Sequence, residues 1–419
     1  MSRTSNSIFK DYLFLIPLAL LYLATLVVFS NDQIVADEGR YLEYATNLTN
    51  GFYTNPDNPS LRNGPGYPLL ITPFVYFNAP HLLIKMLNPI MIILSLVLFF
   101  KTLLFYVSKK RAIFITYILG LYPVLIKWML FMHSESLAIV LICGFMYYLT
   151  KFYHNQSTSR QTLITAGICL GLLALTKVIF GYVILALLFF CLLAFGFQRT
   201  LKLKNNIVLL VISFAFCIPY LAYTYSVTDK VFYWGSQSGE ILYWRSTPFA
   251  EEYGDWVSTD VVLDRMNSEY FDTSSLSKNH GDFIQSLEPL SYIEKDEIFK
   301  KRAIENIKAH PFKYAQNTVS SGLRLFFNYP YSYTPQKMTS YFHILPNMFL
   351  VVFMLVAIGI AIYNKIKLPH EIVALSLFSL IFIGGLILSD GRVRHLLPII
   401  PVLMILVLCV FKYQKNNTF

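Results

Sequence analysis

"YLFLIPLALLYLATLVVFSNDQIVADEGRYLEYATNL", residues 12–48, decides the fold class. Residues 12–28 carry no charge, and at about 1.5 Å of rise per residue such a helix approaches the roughly 30 Å thickness of a hydrocarbon slab. A secretory signal would have a shorter apolar run and a small-residue cleavage site; "VVFSNDQ" is a poor one, so the run is expected to stay as an uncleaved anchor. The chain then turns polar and places Asp37 beside Glu38.

The rest of the chain continues the theme. Of 419 residues 55% are hydrophobic and only 14% charged, more apolar surface than one soluble core of that length needs. Further apolar runs fall at 82–104, 112–126, 136–150, 163–176, 179–195, 207–223, 346–362, 372–388 and 396–411, about ten spans in all. Short loops rich in Lys and Arg stay cytoplasmic. Arg3, Lys10, Lys109, Lys110, Arg111, Lys151, Arg160, Arg199, Lys202, Lys204, Lys365, Lys367, Lys412 and Lys415 all fall on one side under this count, with both termini. That pattern accounts for the net charge of +10 without a basic soluble face, so nucleic acid is not an expected partner.

The expected architecture is an all-α polytopic membrane protein. It has an N-terminal transmembrane module at 1–225, whose first outer loop is 31–80, one long extracytoplasmic loop at 226–345, and C-terminal transmembrane helices at 346–419. "YPLLITPFVYF" (67–77) is too short and proline-broken to span, and reads as interfacial. In 296–329, Ile298, Ala303, Ile304 and Ile307 recur at helical spacing up to Pro311, predicting two amphipathic helices, with 295–314 as one wall of a cavity. The five cysteines all sit in apolar runs and imply no disulfide framework.

Ionisable groups gather where these spans meet the outer face: Asp37 and Glu38; Lys127, His133 and Glu135; Lys177; Arg392, Arg394 and His395. Carboxylates among cations at one interface suit an anionic lipid headgroup with acid or base chemistry beside it. Each also has a plainer reading. Asp37 is equally placed to cap the helix of "DEGRYLEYATNL", Glu135 to start a span beside Ser134 and Ser136, and Lys177 to snorkel. Arg392 and Arg394 run against the positive-inside bias, which points them toward function.

In order, "DEGRYLEYATNL", "NGFYTNPDNPSLRNGPGYPLLITPF", "YPVLIKWMLFMHSESLAIVL", "AGICLGLLALTKVIFGYVI", "AHPFKYAQNTVSSGLRLFF" and "SDGRVRHLLPIIPVL" resemble the membrane glycosyltransferases of the GT-C class. The nearest branches are those of protein O-mannosyltransferases and the lipid A aminoarabinose transferase. The likeness covers nearly the whole chain outside 228–290. It implies a GT-C-like helical bundle and a polyprenyl-phosphate-linked sugar donor. It also implies an acceptor hydroxyl on a lipid, a glycan or a protein, and an extracytoplasmic active site, in a bacterial or archaeal cell membrane rather than the endoplasmic reticulum.

By the same resemblance Asp37, with Glu38 beside it, is the catalytic acid residue. Arg62 stands near the donor phosphate, Glu135 with His133 shapes the acceptor or metal region, and Lys177, Arg392, Arg394 and His395 contact the headgroup. The sequence departs from the family at "RNGPGYP", where Asn63 and Gly64 separate Arg62 from Pro65 and a shorter spacing is usual.

The chemistry suits these residues. A positioned carboxylate can take the acceptor's proton, and fixed Arg and Lys stabilise the charge that grows on the leaving phosphate. A single attack inverts the anomeric centre. No cofactor is called for with certainty; a divalent cation, Mg or Mn, stays open, since Asp37, Glu38 and Glu135 offer oxygen ligands without diagnostic spacing. The competing readings are a polytopic transporter and a lipid-linked surface-polysaccharide polymerase.

Overall fold

The computed structural model describes residues 10–31, 33–35, 37–154, 159–265, 271–336 and 338–414; Arg3 and Lys415 lie outside them. Every regular element among the described residues is a helix. Six helices are long and apolar enough to cross a membrane: His81–Leu103, Glu135–His154, Ile179–Phe197, Tyr341–Tyr363, His370–Leu388 and Val393–Gln414. The pair Leu201–Ala215 and Ile218–Thr228 meets the same test only when counted as one span; it is bent by 44° near Pro219, which lacks the N–H that would continue the ladder. Leu13–Phe29 and Arg160–Thr176 are shorter apolar helices.

The multispanning all-helical reading holds, with one local difference. The run expected as a span at 112–126 is two pieces, Lys109–Gly120 and Pro123–Trp128. Pro123 holds Tyr122 in an extended conformation and breaks the helix between them. The interfacial segment is the helix Gly66–Tyr76, with Pro73 inside it. In the long loop the two amphipathic helices are Tyr292–Ala309 and Pro311–Phe327, divided at the expected proline. Ser291 and Glu294 close a capping box at the start of the first of them. That first helix, with Ser238–Arg245, Thr259–Val262 and Thr273–Ser286, surrounds a second core around Trp244, Ile284 and Phe299, whereas Pro311–Phe327 gives Leu325 to the main core.

Two glycine turns dock the first loop and the approach to the last span against their neighbours. In "NGPGYP" the backbone lies directly on the C-terminal end of Arg160–Thr176: a Cβ on Gly64 would stand 2.2 Å from the Leu175 carbonyl oxygen, and one on Gly66 2.5 Å from Thr176 Oγ1. Only a residue without a side chain permits that approach. It locks the first loop against the residue that follows the helix, Lys177. In "SDGR" a Cβ on Gly391 would meet the Ser321 carbonyl oxygen at 2.2 Å, so this turn docks on Pro311–Phe327. The next residues form the 3-10 stretch Val393–Ile399, which carries Arg394.

Gly64→Ala should therefore lower stability by about 1–3 kcal/mol through overpacking against backbone, read as a reduced midpoint of thermal unfolding in detergent. Gly196→Ala, at a position where a Cβ meets nothing within 4 Å, should leave the midpoint unchanged or raise it.

Candidate active site

The helix Glu38–Thr49 begins just after Asp37, but the Asp37 side chain makes no capping bond. One carboxylate oxygen accepts from Arg394 Nη2 at 2.7 Å and the other is paired with Arg40, three residues on. The carboxylate is 16% exposed. Burial pushes its pKa up, yet Arg394, then Arg40 and Arg392, outweigh burial and hold it well below the usual carboxylate range. Arg394 lies with its guanidinium 5.3 Å from the Trp128 ring centroid. Its buried Nε has no hydrogen-bond partner among the described residues.

Glu38 points elsewhere. It is fully buried and accepts from the backbone amides of Val35 and Met132, both at 2.8 Å, with Lys85 Nζ 3.8 Å away. Lys85 also donates to the Asn31 carbonyl at 2.7 Å. Glu38 thus ties the first loop to the 129–133 segment, and its geometry is that of a brace beside Asp37.

Glu135, the first residue of its span, takes a bond from Lys177 Nζ at 3.1 Å, so Lys177 is turned inward rather than out along the surface. His133 Nδ1 lies 4.0 Å from Glu135 Oε2. The imidazole is stacked against Trp128 and Phe131, at centroid distances of 5.3 and 5.6 Å, and neither ring nitrogen has a hydrogen-bond partner among the described residues. Burial pushes its pKa below the ordinary value; Glu135 opposes that and Arg394 adds to it. Tyr41 links the groups, donating to Ser134 Oγ at 3.0 Å and accepting from Asn63 at 3.2 Å. The field of Arg394 reaches Glu135 as well as Asp37.

Arg392 and His395 converge on a carboxylate that sequence reasoning passed over, Asp390: Arg392 Nε at 2.7 Å and His395 Nε2 at 3.3 Å. Arg392 also faces Trp256 at 5.3 Å. Arg62 is not brought to Asp37. It pairs with the buried Glu240 at 3.0 Å, and Trp256 donates to the same carboxylate at 3.1 Å. Arg62 and Arg40 both line an outer cleft of about 450 Å³, opposite Lys295, Asp296 and Phe299 of the expected wall helix.

Asp390 and Arg40 were the missed members. The pairing of Asp37 with Arg40 was available as an i, i+3 acid–base pair; that of Asp390 depends on a turn and was not.

The carboxylates do not fit a shared divalent cation as arranged. Asp37 is taken by two guanidiniums, Glu38 by two amides and Glu135 by Lys177. No group of three or more His, Cys, Asp or Glu among the described residues is placed to hold a metal.

Glu38→Ala would leave two buried amides without their acceptor and Lys85 without its counter-ion. It is expected to destabilise the protein by about 3–5 kcal/mol, measured by denaturant or thermal unfolding, whereas Glu38→Gln, which keeps an acceptor oxygen, should lose less.

Residues 63–223 match the family model described as dolichyl-phosphate-mannose-protein mannosyltransferase. No curated protein matches the sequence. Among solved structures, ArnT from Cupriavidus metallidurans, bound to undecaprenyl phosphate, is 12% identical over 95% of this chain and 78% of that one, with a TM-score of 0.43. Its apo form gives 12% identity over 98% of this chain and 78% of that one, at 0.42. The archaeal oligosaccharyltransferase AglB from Archaeoglobus fulgidus, in complex with an inhibitory peptide and a dolichol-phosphate, is 13% identical over 96% of this chain and 50% of that one, with a TM-score of 0.51. The present chain therefore spans about half the length of AglB. With a segment at 63–223 that matches the mannosyltransferase family model, set in a helical bundle that shares AglB's fold, this chain is an integral membrane protein similar to the GT-C glycosyltransferases.

Proposed function

We propose that the protein is an inverting glycosyltransferase that moves a sugar from a polyprenyl-phosphate donor to an acceptor hydroxyl on the extracytoplasmic side of the membrane, with both termini cytoplasmic. The observation that carries the reading is the Asp37 carboxylate held at 2.7 Å by Arg394, a buried guanidinium that keeps one N–H unpaired. The description of the family matched at 63–223, whose name contains a dolichyl-phosphate sugar, supports the donor class.

In this reading the donor's phosphate takes up the guanidinium of Arg394, with Lys177, Arg392 and His395 around it. That competition has a consequence for Asp37. A carboxylate gripped by two guanidiniums is a weak base, and a phosphate that draws Arg394 away returns its basicity. Donor binding thus readies the base. The acceptor oxygen then forms a bond to the anomeric carbon as the bond from that carbon to the phosphate oxygen breaks. The acceptor's proton passes to Asp37, and the electron pair leaves with polyprenyl phosphate. Arg394 and Lys177 stabilise the second negative charge that appears on that phosphate, an interaction stronger in the transition state than before it. Glu135 orients Lys177, and Glu38 holds the loop that presents Asp37.

The test is release of free polyprenyl phosphate when the purified protein is given labelled polyprenyl-phosphate sugars and a mixture of cell-envelope acceptors. Asp37→Asn should cut transfer by about 10²–10⁴-fold in a variant that still folds, at an unfolding midpoint lowered by the loss of its ion pairs with Arg394 and Arg40; full activity in the folded variant ends the proposal.

Arg392→Gln with Arg394→Gln should weaken donor binding, seen as a raised KM. The same pair should change the pH dependence. The depressed pKa of Asp37 contributes stability above its unfolded value of roughly 3.9, lost as pH falls through the lower folded value. Without Arg394 acid unfolding should begin at a higher pH. A turnover loss at constant donor affinity would remove these arginines from the headgroup site.

A further inference from the structure

The outer cleft of about 450 Å³ lies within the size range of small-ligand sites, and nothing in the donor chemistry uses it. It opens where the 54–62 segment of the first loop faces the helix Tyr292–Ala309. Arg40 connects it to the reactive centre, because the guanidinium that lines the cleft is the one paired with Asp37. The cleft's contents therefore stand one side chain away from the proposed base.

Its walls select by chemistry. The described lining residues include four basic and five acidic side chains, nearly balanced. Three of the four cations are engaged with acids: Arg62 with Glu240 at 3.0 Å, Arg265 with Glu288 at 2.5 Å, Arg40 with Asp37; the fourth, Lys295, lies 5.8 Å from the centroid of the Tyr292 ring. Among the acids, Asp296 receives the Gly239 amide at 2.6 Å. An anionic polymer would have to break these pairs, and an acyl chain would have to desolvate them. What the remaining surface offers is hydroxyl and amide groups, from Thr54, Asn55, Asn58 and Ser60, the first three of which also accept backbone N–H bonds, and the ring of Tyr292, flanked by Arg62 and Lys295 at 5.9 and 5.8 Å. Groups that both donate and accept match sugar hydroxyls, which do the same. A peptide acceptor could not add to a sheet edge here, since the walls are helices and loops.

We propose that this cleft binds a neutral, hydroxyl-rich glycan, stacked on Tyr292, as the acceptor of the reaction. The word acceptor rests on the glycosyl-transfer reading above; the binding does not.

Binding is measured by calorimetry on the full-length protein in detergent without donor. The probes are maltohexaose, a β-mannan hexasaccharide, a polygalacturonate of the same length and a neutral Ser/Thr-rich peptide. At least one uncharged hexasaccharide should bind with Kd of about 0.1–10 mM, at least tenfold more tightly than the polyuronate or the peptide, estimated roughly from the unmatched charge or hydrogen bonds. Tyr292→Ala should weaken it by about tenfold. Glu288→Lys, which reverses one acid of the lining and frees Arg265, should raise polyuronate affinity about tenfold.

No binding by any hexasaccharide, tighter binding of the peptide, or sugar binding indifferent to Tyr292→Ala overturns the assignment. Sugar binding that follows this pattern, with no transfer from any polyprenyl-phosphate sugar, would keep the cleft's ligand class and end the transferase reading instead.

Discussion

The contact between Asp37 and Arg394 joins side chains 357 residues apart in the chain. Both are largely buried, and a buried charge is tolerated only when its partner is in place. The pair therefore demands that the first outer loop and the start of the last span dock together. The rest of the site follows from how that demand is met. Gly391 lets its turn lie on Ser321, Gly64 lets the first loop lie on Leu175, and Trp128 supports Arg394 from its ring face. Backbone packed this closely leaves little freedom for the guanidinium to wander, which is the condition for fixed charges to act on a reaction without reorganising.

Neighbouring carboxylates of the same loop end in opposite circumstances. Glu38 is enclosed with two backbone amides and Lys85, while Asp37 faces Arg394 and Arg40. Successive residues at the start of a helix point about 100° apart, so two adjacent acids cannot share one environment. One becomes part of the scaffold and the other remains available. A comparable division separates Arg394, turned to Asp37, from Arg392, turned to Asp390 and Trp256.

Charge here is arranged as compensated pairs rather than as a positive basin. Glu135 with Lys177, Asp390 with Arg392 and His395, and Glu240 with Arg62 are each a cation facing an acid at the helix ends. Such a surface stays stable empty and yields cations only to a ligand that replaces the carboxylate, and a phosphate is such a ligand.

The apolar runs, their flanking charges and the break at Pro311 were all legible in the sequence, because the cost of leaving backbone and charge in hydrocarbon acts on local composition. So was the set of polar residues at one face, Asp37, Glu135, Lys177 and Arg394 among them. Pairings were not legible. That Glu38 braces, that Arg62 turns to Glu240, that Asp390 collects Arg392 and His395, and that 112–126 breaks at Pro123 depend on which surfaces meet. Residue type determines which groups must find a partner once water is removed; only the three-dimensional packing of distant helices decides which partner each one finds, because that choice is made by distances of a few ångströms that no linear spacing encodes.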